Sequence, residues 1–453
     1  MTLTSSVKTI ADFRWKKINE DRLLILLSIM IQTLLAIFLG HYYDERVFMT
    51  TGYLVSSGIN PYQQYEITGI FSHPLLQGTI PGFGYPPPYA LVLGLAFQLS
   101  YRLIPNLLLY NLMIKIPIVA TNVCLAFLVR KVINESKTTK KTAQFAFLFL
   151  LFNPFILLTT SAWGQIDTVA TLLCVASLYW LSKGNHKWCG ITLALAFSIK
   201  PIVLPLLGLP VFFQEPKNLR SKLEYLTVLS VSIFTFTILP LLVTGWQPLL
   251  ASNEWNAHFS TAGGLSLFGI IEIITGAEFL PRSLEQLGFL WVPALLIAYY
   301  KVYRNPPSSR TELIQKAILL SLIFFLTRSW LSEPNINLVL VLMLLSVETE
   351  KTTFRNLHFA WTIAFLFMFL NYSIPQLFFI PYPSIISDLA ILDVQIGTLR
   401  LIGRSCVVVL WQIFAWLFLF KILHQNARKD FNNSKEYFYK PSETRKLYGQ
   451  TFD

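Results

Sequence analysis

Residues 23–40 read LLILLSIMIQTLLAIFLG and contain no charged side chain. An uncharged, mostly apolar stretch of roughly 18 residues predicts a transmembrane α-helix. Comparable apolar runs occur at residues 107–129, 142–160, 166–182, 223–243, 286–303, 357–380 and 401–423. The sequence therefore predicts an all-α protein that crosses the membrane many times.

The composition supports the same class. Hydrophobic residues make up 54% of the 453 residues and charged residues only 13%, whereas soluble domains carry about 25% charge. A soluble fold could not cover so much apolar surface with so little charge. The composition also excludes disordered, collagen-like and disulfide-scaffold proteins. The four cysteines lie in apolar runs without zinc or redox spacing, so we interpret them as small core residues.

Two further apolar stretches, residues 188–213 and 315–347, are too long for one membrane helix, and each contains a charged break. The first break is at Lys200 and the second begins at Arg328. Basic loops flank both stretches, so the positive-inside rule is satisfied if each stretch forms a pair of short helices with its break on the outer side. This gives about twelve transmembrane helices with both termini in the cytoplasm.

The net charge of +12 follows the same topology. The predicted cytoplasmic segments hold 28 of the 36 basic residues, so the surplus orients the chain in the membrane and does not indicate a nucleic-acid partner. The remaining eight are Arg46, Arg102, Lys115, Lys200, Arg282, Arg328, Arg400 and Arg404. These residues are the candidates for binding an anionic ligand at or near the outer face.

The predicted loops differ strongly in length. Residues 86–104 would disturb the charge asymmetry if they crossed the membrane, so we interpret them as an interfacial helix within a large first external loop, residues 41–106. A second external loop covers residues 244–285, and a solvated cytoplasmic tail covers residues 424–453. Together with these segments, the whole chain, residues 1–453, is predicted to form a single integral membrane domain.

Asp44 is the strongest catalytic candidate from position alone. It directly follows the first membrane helix, where the geometry is rigid, and it precedes a loop rich in aromatic residues and proline. Charged groups at such sites are functional candidates. For most other external carboxylates, the alternative of a solvated loop residue stays open.

Six short motifs follow one another along the chain. They are DERVF from Asp44, SSGINPY ending at Tyr62, GYPPPY from Gly84 to Tyr89, WGQID from Trp163 to Asp167, SIKP from Ser198 to Pro201 and SEPN from Ser332 to Asn335. Their order and topological positions resemble those of C-type (GT-C) glycosyltransferases. The resemblance is strongest to the mannosyltransferases of glycosylphosphatidylinositol anchor synthesis and their prokaryotic relatives.

The resemblance implies a GT-C-like fold and an enzyme that uses a polyprenyl-phosphate sugar as donor, with mannose as the sugar. The family's first loop reads approximately D-x-D-Y-x-V-F. This chain has Tyr42 in place of the first Asp and Glu45 in place of the Tyr. Only Asp44 matches the acidic pattern, so an acidic pair is not implied.

The chemistry of sugar transfer assigns roles to the charged residues. We expect Asp44 to be the general base that deprotonates the acceptor hydroxyl, with inversion at the anomeric carbon. The leaving phosphate needs cations, and the candidates are Lys200, Arg328 and Arg46. Alternatives stay open for two of these, because Lys200 could be a snorkelling lysine and Arg328 could form an ion pair with Glu333.

We expect the remaining candidates to contact the substrate, away from the reacting bond. They are Trp163, Gln165, Asp167, Glu333, Tyr62 and Tyr85. Two alternatives stay open, because Trp163 could be an anchor at the membrane interface and the tyrosines could serve only in packing. No His and carboxylate set has ligand spacing, so we expect no metal or other cofactor, although the alternative that two external carboxylates hold Mg²⁺ or Mn²⁺ stays open. The expected partners are a polyprenyl-phosphate sugar, a lipid-linked or protein glycan acceptor and membrane lipids. The expected location is the plasma membrane in a prokaryote or the endoplasmic reticulum in a eukaryote.

Two other functions fit a polytopic membrane protein. A transporter or a flippase for lipid-linked sugars would show an internal repeat and charges lining a pathway, but no repeat is evident here. A glycan ligase or polymerase would favour a large late external loop, whereas the large loop comes first in this chain.

Overall fold

The structure, a computed structural model, describes residues 3–136, 139–214, 219–246, 262–276, 284–346 and 351–439. The structure is 77% helical. The α-helices in chain order are α1 Leu3–Phe38, α2 Tyr42–Ser56, α3 Pro87–Leu99, α4 Leu107–Glu135, α5 Lys140–Phe152, α6 Pro154–Leu157, α7 Asp167–Ser182, α8 His186–Ile199, α9 Leu209–Phe212, α10 Leu219–Ile233, α11 Leu239–Thr244, α12 Gly269–Thr275, α13 Trp291–Arg304, α14 Arg310–Thr327, α15 Ile336–Ser346, α16 Lys351–Leu370, α17 Ser373–Gln376 and α18 Ile385–Tyr439.

Short irregular helices and strands connect these elements. The 3₁₀-helices are Pro74–Leu76, Pro201–Leu206, Glu285–Phe289 and Glu333–Asn335, and the π-helices are Leu158–Ala162 and Phe234–Ile238. Strands β1 Tyr65–Ile67 and β2 Gly78–Ile80 pair antiparallel, and β3 Gly263–Gly264 pairs in parallel with β4 Trp330–Leu331. The second pair links the second predicted external loop to the break that begins at Arg328.

Several helical segments suit a bilayer. Within the described part of the chain, five are long and apolar enough to cross it: Asp21–Phe38, Leu107–Glu135, Lys140–Ala162, Leu219–Thr244 and Ile385–His424. Large apolar side chains point outward from the first of them, with Leu23 68% and Leu26 64% exposed. Lipid is the solvent that makes such exposure favourable, so the protein is an all-α membrane protein. The total of twelve membrane helices stays a prediction.

Both predicted helix breaks are confirmed. The first apolar stretch is interrupted at Lys200, between α8 and the 3₁₀-helix Pro201–Leu206, because proline cannot continue the α-helical hydrogen bonding. The second is interrupted between α14, which ends at Thr327, and α15. The side of the membrane on which the breaks lie stays a prediction.

The predicted first external loop folds as a compact unit with its own apolar core, which includes Phe48, Phe71 and Phe83. Helices α2 and α3 pack closely because Gly52 has no side chain. A Cβ there would lie 2.7 Å from the carbonyl oxygen of Leu93. Helix α3 has 13 residues, which extend about 20 Å and fall short of the ~30 Å hydrocarbon core. This length is compatible with the predicted interfacial helix.

Two other predicted regions are only partly described. In the second external loop, residues 247–261 and 277–283 lie outside the described residues, and helix α12 occupies Gly269–Thr275. The last helix, α18, begins before the predicted run 401–423 and continues to Tyr439, so it also covers part of the predicted tail. The rest of the tail, residues 440–453, lies outside the described residues.

Candidate active site

Asp44 lies in the first turn of α2 and is held by an aromatic pair. The indole Nε1 of Trp163 donates to the Asp44 Oδ2 over 2.6 Å, and Nδ1 of His41 lies 3.2 Å from the same oxygen. The rings of His41 and Trp163 stack with centroids 4.0 Å apart and an interplanar angle of 12°. The structure thus joins the first-loop motif to the WGQID motif through Asp44 and Trp163.

The surroundings of Asp44 favour its ionised form. Burial opposes ionisation, but His41, the indole N–H of Trp163 and the charge of Lys200 together outweigh burial and hold the pKa of Asp44 below its usual value. The Asp44 side chain remains 17% exposed. A carboxylate that is ionised and partly accessible is suited to accept a proton.

Lys200 lies beside this carboxylate and is bound by the WGQID motif. Its Nζ donates to Oδ2 of Asp167 over 2.6 Å and to Oε1 of Gln165 over 2.8 Å. Asn335, from the SEPN motif, donates to the other Asp167 oxygen over 2.7 Å. Asp167 is fully buried at the first turn of α7, where the helix dipole also favours a carboxylate. Three motifs that are distant in sequence therefore form one polar network.

The two tyrosine candidates occupy different environments. The Tyr85 hydroxyl donates to Oε1 of Gln165 over 3.4 Å, and its ring faces Lys200. Burial raises the pKa of Tyr85 well above its ordinary value, so the hydroxyl stays protonated. Tyr62 is only 3% exposed and packs against Phe83 and Trp246. The structure brings Tyr85 into the polar network, whereas Tyr62 lies in the core of the loop unit.

The other predicted phosphate ligands are placed differently from Lys200. The Arg328 guanidinium lies 4.9 Å from the ring centroid of Phe324. Burial lowers the pKa of Arg328 to about 10, against the attraction of Asp167, so it remains cationic at neutral pH. Arg46 donates to the Tyr42 hydroxyl over 3.0 Å.

Glu333 is bound by neutral side chains. Its carboxylate accepts hydrogen bonds from Asn371 and Ser373 over 3.3 and 3.1 Å. Within the part of the chain that the structure describes, Arg328 and Glu333 form no ion pair, so this alternative for Arg328 is wrong. Arg328 therefore combines a positive charge near Asp167 with the lack of a carboxylate partner among the described residues.

Comparison with known proteins assigns the chain to a family. A sequence model of glycosyltransferase family 87 matches residues 83–349, which is more than half of the chain. The chain belongs to glycosyltransferase family 87. This family is GT-C-like, as the motifs indicated. The match includes Trp163, Lys200 and Arg328, whereas Asp44 precedes it.

One curated relative of this chain is GPI mannosyltransferase 1 of Dictyostelium discoideum. It is 28% identical over 128 residues. The alignment covers 27% of this chain and 28% of the relative's length. The family and the apolar helices together show that this chain is a membrane protein.

Most of the other basic residues that the sequence predicts on the outer side are paired within the described structure. The ion pairs are Lys115 with Glu45 at 3.2 Å, Arg400 with Asp393 at 2.7 Å and Arg404 with Glu272 at 3.0 Å. Arg282 lies outside the described residues. Since a paired cation is less available to an anionic ligand, this distribution favours Arg328 over the paired residues.

The sequence interpretation of this site missed two contacts, those of Asn335 and of Lys115. The sequence did point to Asn335, because this residue ends the SEPN motif, but only Glu333 of that motif was assigned a role. The sequence also pointed to Lys115, since Asn111, Lys115 and Asn122 lie on one face of a mostly apolar helix. As for metals, no group of three His, Cys, Asp or Glu side chains among the described residues could hold an ion.

Proposed function

We propose that this glycosyltransferase transfers mannose, with inversion, from a polyprenyl-phosphate donor to a hydroxyl group of a lipid-linked or protein glycan on the external or luminal face. The observation that carries the proposal is the environment of Asp44, whose carboxylate is held ionised by Trp163 and His41 beside Lys200. The choice of mannose is supported by the partial likeness to a protein named as a mannosyltransferase.

The proposed reaction assigns one role to Asp44. Its carboxylate accepts the proton of the acceptor hydroxyl as the hydroxyl oxygen attacks the anomeric carbon. The bond between that carbon and the donor phosphate oxygen breaks, and its electron pair leaves with the phosphate. Positive charge develops on the sugar ring in such a transition state, and a nearby carboxylate also stabilises this charge.

The leaving phosphate needs stabilisation by cations and not by an acid, because it departs as an anion. We assign Arg328 as its principal ligand, since the guanidinium can bind two phosphate oxygens at once. Lys200 contributes positive charge but shares it with Asp167. Arg46 is a further ligand, two residues from the base.

A lipid-linked donor fits the location of this site. Asp44 follows a helix whose apolar side chains face lipid, and Arg328 and Lys200 lie at breaks in apolar helices. A donor whose isoprenoid chain stays in the bilayer would present its phosphate at the level where these helices end. Trp163, Gln165, Asp167 and Tyr85 would then contact the sugars, and Glu333 and Tyr62 would support that surface.

The test is transfer from radiolabelled polyprenyl-phosphate mannose, with the glucose analogue in parallel, followed by identification of the labelled product. Asp44→Asn keeps an oxygen that can accept the Trp163 hydrogen bond, so folding and donor binding should persist. Transfer should fall about 10²–10⁴-fold because general base catalysis is lost. Glu66→Gln is the matched control, because Glu66 is an exposed carboxylate of the same loop that binds Thr79.

The result separates this function from its alternatives. Turnover near that of the unaltered protein in the Asp44→Asn variant would remove Asp44 as the base. Transfer of glucose but not mannose would overturn the choice of sugar. Vectorial movement of a lipid-linked sugar without any transfer would favour a flippase.

A further inference from the structure

A buried lysine joins the chain segments that surround Asp44. Lys115 lies on α4 with its side chain fully buried. Its Nζ donates to the carbonyl oxygens of Leu39 and of Ala162, the latter over 2.9 Å, and lies 3.2 Å from Oε2 of Glu45. All three donor positions of the ammonium group are therefore directed at protein oxygens.

The three partners of Lys115 stand next to the three groups of the Asp44 cluster. One partner is two residues before His41, one directly precedes Trp163 and one directly follows Asp44. These groups belong to chain segments more than 100 residues apart, since the contact between Asp44 and Trp163 spans 119 positions. A single atom of Lys115 thus fixes the backbone on both sides of that hydrogen bond.

The pair is poorly explained by stability alone. Both side chains are 0% exposed, and apart from the ammonium group the Glu45 oxygens have no hydrogen-bond partner within the described structure. Apolar residues of similar size often replace buried ion pairs with no loss of stability. A role in holding a particular geometry is a better explanation for Lys115 and Glu45.

The turn before α7 leaves room for the pair. Gly164 has φ +91°, and a Cβ there would lie 2.9 Å from Cε of Lys115 and 3.2 Å from Oε2 of Glu45. A Cβ on Gly40 would lie 3.0 Å from the same carboxylate oxygen. Two glycines therefore flank the ion pair on opposite segments. The π-helix Leu158–Ala162 ends at the carbonyl that Lys115 binds, and such widened turns often mark functional sites.

We propose that Lys115 and Glu45 are positioning residues that hold the Trp163 indole N–H against the Asp44 carboxylate. Neither side chain touches substrate. The pair sets the separation of two loops, and that separation determines whether the indole reaches Asp44. The consequence for sugar transfer rests on the proposed function of Asp44, whereas the geometric effect on Trp163 does not.

The direct test is the NMR signal of the Trp163 indole in protein labelled with ¹⁵N-tryptophan. Trp163→Phe identifies the signal by its loss. In the double variant Lys115→Met, Glu45→Gln, which leaves no unpaired charge, the indole proton should move upfield as its hydrogen bond lengthens. The matched control, Arg404→Met with Glu272→Gln, removes another outer-side ion pair and should leave the signal in place.

A second variant keeps the proposal testable if the double variant does not fold. Lys115→Arg keeps a cation opposite Glu45, but its planar guanidinium cannot contact both carbonyls from the position of the ammonium. The Trp163 signal should then shift in the same direction by a smaller amount. An unchanged Trp163 signal in either variant that folds overturns the proposal.

Activity measurements separate this proposal from the function of Asp44. Transfer should fall about 10²-fold in the Lys115→Met, Glu45→Gln variant, since small misplacements of reacting groups are costly. If the Trp163 signal moves but Asp44→Asn remains active, the positioning role stands and the proposed base is wrong. If Asp44→Asn is inactive and the Trp163 signal stays in place, only the positioning role is overturned.

Discussion

Replacing Lys200 with methionine would leave the Asp167 carboxylate buried without its cation. The two groups are 2.6 Å apart, with side-chain exposures of 7% and 0%. Breaking such a pair from one side destabilises a protein by about 3–5 kcal/mol. Asp167 would retain its hydrogen bond from Asn335, so we expect a loss of about 3 kcal/mol, at the lower end of that range.

The double variant Lys200→Met, Asp167→Asn tests whether this cost comes from the unpaired charge. It removes both charges and leaves an amide oxygen that can still accept the hydrogen bond from Asn335. We expect it to be more stable than Lys200→Met alone, with a coupling energy of about 2 kcal/mol or more between the two positions. The free energy of unfolding is measured by denaturant titration in detergent for the unaltered protein, the two single variants and the double variant, which completes the double-mutant cycle.

The exposed ion pair of Lys187 and Glu224 is the matched control. Its atoms are 3.3 Å apart, but the side chains are 67% and 40% exposed. Lys187→Met should therefore cost less than about 1 kcal/mol. Additive effects of the Lys200 and Asp167 substitutions would refute the reasoning, because they would mean that the two charges do not stabilise each other.

The same variants test whether Lys200 only stabilises the fold or also binds the donor. If Lys200 also contacts the donor phosphate, the double variant should recover stability but still bind donor more weakly than the unaltered protein. Full recovery of donor affinity together with stability would make Lys200 a structural partner of Asp167 alone.

The remaining predictions concern pH, the backbone and topology. The Trp163 N–H stabilises ionised Asp44 and lowers its pKa, so Trp163→Phe should raise that pKa and move the acid limb of the kcat/KM profile to higher pH; an unmoved limb contradicts this. Gly164→Ala should destabilise the protein by at least about 1–2 kcal/mol because φ is +91° there, and an unchanged free energy of unfolding would refute it. Cysteine labelling should reach Asn60 from outside and Ser136 from inside, and reversed access would overturn the topology.

Composition and hydropathy were enough to predict the class of protein, the positions of its main helices and the residues worth testing. Hydropathy and charge are local properties of the chain, and a bilayer sorts them directly. The break at Lys200 was predictable because a charge and a proline interrupt an apolar run. Asp44 could be named as a candidate for a similar reason, since it follows a membrane helix and matches a family motif.

The partner of each buried charge, in contrast, became apparent from the packing of the helices. The sequence placed Lys200 and Asp167 in separate roles, but they form one ion pair. From the sequence, Arg328 could either pair with Glu333 or bind a ligand. In the structure, the Glu333 carboxylate accepts hydrogen bonds from Asn371 and Ser373 instead. A buried charge must find a partner because desolvation is costly, but its identity depends on how helices distant in sequence pack together.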